Sequence, residues 1–141
     1  METSKKHRWK QALTILLAFA MICTTVSVPA YAEETEPVAS EEGWSLSSDG
    51  VLTISDVTLV ETDYTAKTAP WAERASNITS VSFPNEKPTK IGNYAFYQCE
   101  NLITIDLSSV TEIRDCSFQG SGFTEVCLSA ALTSIGGYAF M

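Results

Sequence analysis

The hexapeptide IGNYAF, residues 91–96, returns as IRDCSF at residue 113 and as IGGYAF at residue 135, at intervals of 22 residues. A fixed interval of this length implies one supersecondary unit per repeat. No unit so short buries its own apolar face, so each must stack on its neighbour. Matching segments lie between the phrases: ITSVSF from Ile78, LITIDL from Leu102 and FTEVCL from Phe123. Their first, fourth and sixth residues are apolar. The last three places of each therefore alternate as a strand, flanking residues inward and the middle residue outward. The expected architecture is a β-rich solenoid with a parallel sheet on one face and irregular or short helical return segments on the other. Ile91 and Phe96 are expected in its core. IGGYAFM reads as an incomplete last repeat with no following strand, which leaves Ile135 and Phe140 partly exposed.

Upstream of the repeats the chain changes character three times. Lys5, Lys6, Arg8 and Lys10 precede the apolar run ALTILLAFAMIC, and Ala30-Tyr31-Ala32 forms a small-residue cleavage signature. Residues 1–32 thus read as a secretory signal peptide cleaved near Ala32, giving a secreted or surface-exposed chain with no membrane insertion afterwards. Residues 33–42, EETEPVASEE, are acidic and aperiodic and read as a disordered tether. Residues 43–77 read as a capping region that opens with WSLSSDGVLTIS. There Asp49-Gly50 between alternating apolar residues predicts a β-hairpin with a type I′ turn. A second alternating run, DVTLVETDY, follows, and APWAERASN reads as a short helical turn with Pro70 at its first position. Trp44 and Trp71 are the expected covers of the repeat stack, which occupies residues 78–141.

Charge narrows the partners. Glu33–Met141 carries 5 basic and 16 acidic side chains, a net charge of −11. Such a surface repels nucleic acid and anionic membranes and favours solvation or basic partners. Catalytic chemistry finds little material. The one histidine, His7, precedes the cleavage signature, so the remaining chain has no imidazole to activate a serine or cysteine. No phosphate loop, dinucleotide fingerprint or calcium loop is present, and no cofactor or metal site is expected. Cys99, Cys116 and Cys127 have no metal-ligand spacing. Export permits one bridge among them with one thiol left over. Cys99 and Cys116 read as small buried hydrophobes and Cys127 as an outward thiol.

The phrase IGNYAFYQCENLITIDLS, residues 91–108, resembles the BspA-like leucine-rich repeats of bacterial surface proteins, whose units read I-G-x-x-A-F-x-x-C-x-x-L-x-x-I-x-L-P. Ser108 stands where proline is usual. In the second unit Arg114 replaces the glycine, Ser117 the alanine and Ser121 the cysteine. The front segment, W-x-L-x-x-D-G-V-L-T-I-S with A-P-W later, is similar to the leader of such arrays. The resemblance spans roughly residues 44–140 and suggests a short or truncated member. It implies a leucine-rich-repeat solenoid and a non-enzymatic, adhesin-like module that attaches to a host or extracellular-matrix protein. The outward strand positions supply the candidate face, in two rows: Ser80, Thr104 and Glu125, then Ser82, Asp106 and Cys127. The alternative is the N-terminal repeat fragment of a larger exported enzyme or wall-anchored protein.

Overall fold

The computed structural model describes residues 37–141. The proposed signal peptide and its cleavage site lie outside the described residues. Within them, eight short strands, one α-helical turn and one 3₁₀ helix form two sheets. The chain runs through β1 (Ala39–Glu41), β2 (Trp44–Leu46), β3 (Val51–Ile54), α1 (Thr58–Glu61), the 3₁₀ helix Ala72–Asn77, β4 (Ser80–Ser82), β5 (Lys90–Ile91), β6 (Thr104–Ile105), β7 (Glu112–Ile113) and β8 (Ser134–Ile135).

The five-stranded sheet has the order β1-β2-β3-β4-β6 and is mixed. Its first three strands pair antiparallel, and β3-β4 and β4-β6 pair parallel. The expected hairpin is present, with Trp44 opposite Ile54 and Leu46 opposite Leu52. Its turn is not type I′. Among its residues only Gly50 has a positive φ, +83°. The Gly50 N–H donates to the Ser47 carbonyl at 3.1 Å, and the Ser47 N–H donates to that of Val51 at 3.1 Å. This is a three-residue loop ending in a glycine bulge. Glycine is required twice over here, because a Cβ would also meet the Asn77 carbonyl oxygen at 2.5 Å.

Three further expectations fail in this region. Ala39–Glu41, read as part of the tether, is a strand paired with β2. The intervening chain is so short that closure costs little entropy, and acidic side chains do not hinder backbone pairing on an edge strand. DVTLVETDY holds a helical turn rather than a second alternating strand. The Asp56 carboxylate accepts hydrogen bonds from the Thr58 N–H at 3.0 Å and hydroxyl at 2.6 Å, which favours a turn over extension. Pro70 lies ahead of the 3₁₀ helix, whose N-cap is Trp71.

The return segments build a second sheet, β5-β7-β8, which is wholly parallel. A parallel sheet on one face alone therefore understates the pairing. Its ladder keeps the 22-residue interval: Arg114 N–H donates to Ile91 C=O at 2.9 Å and Gly136 N–H to Ile113 C=O at 2.7 Å. Side chains brace the same steps. The Thr111 hydroxyl donates to the Thr89 carbonyl at 3.1 Å, and that of Thr133 to the Thr111 carbonyl at 2.9 Å. Asn93 accepts from the Asp115 N–H at 3.0 Å, and Asp115 accepts from the Gly137 N–H at 2.6 Å.

Helix α1 stands in for a preceding repeat. Val60 C=O accepts from the Gly92 N–H at 2.8 Å, the place that Ile91 and Ile113 hold further on. Asp63 accepts from the Asn93 N–H at 3.0 Å, and Glu61 Oε1 from the N–H groups of Thr89 at 2.8 Å and Lys90 at 3.3 Å.

One hydrophobic cluster takes side chains from both sheets. Phe96, Phe118 and Phe140, 22 residues apart, stack at 5.4 and 5.3 Å with interplanar angles of 5° and 12°. Trp71 caps the column at 5.7 Å from Phe96, and its buried indole N–H donates to Ala95 C=O at 2.8 Å. Trp44 meets Trp71 edge-on at 6.2 Å. Both tryptophans are buried, as expected of covers. Ile91 and Phe96 are fully buried, whereas Ile135 is 50% and Phe140 38% exposed.

Candidate interaction face of the mixed sheet

The alternation that buries Val81 turns Ser80 and Ser82 to the other side of β4, and β6 carries Thr104 beside them. Ser80 pairs with Thr104 and Ser82 with Thr53. Four of the six candidates keep a place on or beside this sheet: Ser80, Ser82, Thr104 and Asp106, the last directly after β6.

Glu125 and Cys127 do not. No strand forms over Phe123–Leu128, so neither row is completed. The segment has the required alternation, but β6 is only two residues long and offers a minimal ladder. Phe123 instead packs edge-on against Phe118 at 5.5 Å, and Leu128 stays exposed. Extending a two-residue edge would order backbone for little further burial. Cys127 is an exposed free thiol, and Cys99 and Cys116 are buried and unbridged. Burial pushes the Cys99 thiol up to about 12, which keeps it protonated and unreactive.

Asp106 is already engaged. Its Oδ2 lies 2.7 Å from Lys87 Nζ, and its Oδ1 accepts from the Ser108 N–H at 2.9 Å. The Lys87 ammonium, followed by the Ser108 bonds, holds its carboxyl well below the usual range. It is therefore a surface strut between two loops rather than a vacant acid. The pair is about half exposed, so its contribution to stability is small.

The structure adds residues to the face that the repeat pattern left out. The hairpin continues the sheet, placing Ser45 opposite Thr53 and Val51 opposite Ser80. The signal was present in the alternation of WSL and VLTI, but that stretch reads first as a cap. Apart from Val51 and the Lys87-paired Asp106 at its margin, the enlarged face is short-chained, hydroxyl-bearing and uncharged. Among the described residues no group of three or more His, Cys, Asp or Glu could hold a metal ion.

Repeats joined at 22-residue steps by backbone ladders and an aromatic column, with short polar side chains outward, define a repeat scaffold. Residues 72–141 match the family described as BspA type Leucine rich repeat region (6 copies), and the chain belongs to that family. The match begins at Ala72, so the leader hairpin and α1 lie ahead of it. No curated protein and no solved structure matches the chain. Among the described residues no helix is long and apolar enough to cross a membrane.

Proposed function

We propose that the chain is a non-enzymatic, surface-exposed interaction module, adhesin-like, that binds a host or extracellular-matrix protein through the mixed sheet. Its repeats form one solenoid. The observation that carries this reading is the continuous outer face made by Ser45, Thr53, Ser82, Ser80 and Thr104, held in register across four strands. A rigid, uncharged strip within an acidic surface suits a polar protein partner that packs backbone and short side chains against it.

The test is binding to a panel of purified extracellular-matrix proteins by surface plasmon resonance. The double variant S82R/T104R places two long cations on the strip without touching the core. It should weaken binding at least tenfold, the scale of a blocked interface centre at about 1.4 kcal/mol. Binding that survives the double variant unchanged would show that the sheet is not the contact face.

A further inference from the structure

A concavity lies where the 3₁₀ helix Ala72–Asn77 meets the turn after IGNYAF, with a volume of about 220 Å³. Its outer lining is Tyr97, Gln98, Glu100, Glu73, Ser76 and Lys67. The repeat itself shows which of these the fold does not require. One repeat later the same turn is made by Gln119 and Gly120. Tyr97 N–H donates to Tyr94 C=O at 3.3 Å, and Gln119 N–H to Cys116 C=O at 3.2 Å. Gly120 has φ +76° and Gln98 has φ +56° in the same place. Gln98 therefore carries a left-handed backbone that glycine adopts freely. Lys67, on the facing wall, is also left-handed, at φ +66°.

Tyr97 is half-buried, and the ring of Tyr94 meets it edge-on at 5.4 Å and 67°, which fixes its orientation. Around it the side chains of Gln98, Glu100, Glu73 and Lys67 make no hydrogen bond or ion pair with any described residue. The groove thus combines an oriented aromatic face with free amide, carboxylate and ammonium groups of both signs. Both signs together disfavour a simple anion or cation. They suit a neutral polyhydroxylated ring, whose C–H face lies on the aromatic quadrupole while its hydroxyls donate to carboxylates and accept from the ammonium and amide.

We propose that this groove binds a single sugar residue of a glycan, stacked on Tyr97 and hydrogen-bonded by Gln98, Glu73 and Glu100. It is a site separate from the mixed sheet. The probes are lactose, maltose, cellobiose and N,N′-diacetylchitobiose, each titrated into the ¹⁵N-labelled chain to about 10 mM, enough to reveal a Kd near 1 mM. At least one should shift the amides of Ala72–Asn77 and Tyr97–Glu100 saturably. Y97F keeps the ring and should bind, whereas Y97A should lose at least tenfold in affinity. Q98G relieves the backbone, so it should raise the melting temperature by a few degrees while weakening binding. That opposition distinguishes a ligand contact from a structural role. The S82R/T104R variant should leave these shifts unchanged, so the two sites can fail separately. Absence of shifts with every probe, or shifts that persist in a folded Y97A or an equally tight Q98G, would overturn the proposal.

Discussion

Phe118 lies between Phe96 and Phe140 with near-parallel rings on both sides and is 1% exposed. It is the middle rung of the column, so truncation opens a cavity that touches two repeats at once. The F118A variant should lose roughly 3–5 kcal/mol, measured by urea denaturation, with no smaller core change in the same column costing more. A loss below about 1 kcal/mol would mean that the column is not a packed core. At this scale the sequence was most legible where side chains recur. Ile91, Phe96 and Cys99 fall in the core as the repeat requires. Ser117, which departs from the alanine of the pattern, is also fully buried. Its hydroxyl satisfies itself locally, 2.6 Å from the Arg114 carbonyl and 3.0 Å from that of Gly92. The Lys87–Asp106 pair was not legible, since nothing in the spacing says which loop reaches another.

Elements were less legible than residues, and helix α1 shows why. One helical turn is too short for a 3.6-residue period to appear, so Val57 and Leu59 pass for strand alternation while Val60 is the buried residue. What fixes the turn is its role in closing the three-stranded sheet. Burial of the Glu61 carboxylate opposes its ionisation. The Thr89 backbone and hydroxyl bonds, the Lys90 N–H and the Lys90 charge outweigh that burial and lower its pKa below 4.5. A folded-state pKa below the unfolded one means stabilisation that is present above pH 4.5 and lost as pH falls through the folded value. The E61A variant should be destabilised by about 1 kcal/mol at pH 7, the size of a lost helix cap, and less in acid as the wild type loses the same bonds. Chemical denaturation at pH 7 and pH 3 checks both. A deficit that does not shrink at pH 3 would show that the carboxylate's bonds to Thr89 and Lys90 do not carry the stabilisation. The strand expected over Phe123–Leu128 failed for a related reason. Alternation licenses a strand, but pairing depends on the ladder available beside it.

At the scale of the molecule, the 22-residue interval made the stacking legible and the faces only partly so. The repeat phrases implied cores and returns, yet not that the returns would form a parallel sheet of their own, because each contributes two paired residues and no strand-length pattern. The candidate face was legible over β4 and β6, and its extension over the hairpin followed from how the cap joins the sheet. The groove beside Tyr97 depends on two segments more than twenty residues apart meeting, which periodicity within either could not reveal. Both proposed binding sites lie on outer surfaces of a frame whose stability is a sum over neighbouring repeats.

Native-state hydrogen exchange of individual amides tests that frame most directly. The N–H groups of Phe96, Arg114 and Phe118, bonded to Ser117, Ile91 and Ala139, should be protected together. They should exchange roughly 100-fold or more slowly than the amides of Thr124–Leu128, which make no backbone bond among the described residues. Equal exchange in the two sets would contradict stacking at the 22-residue interval.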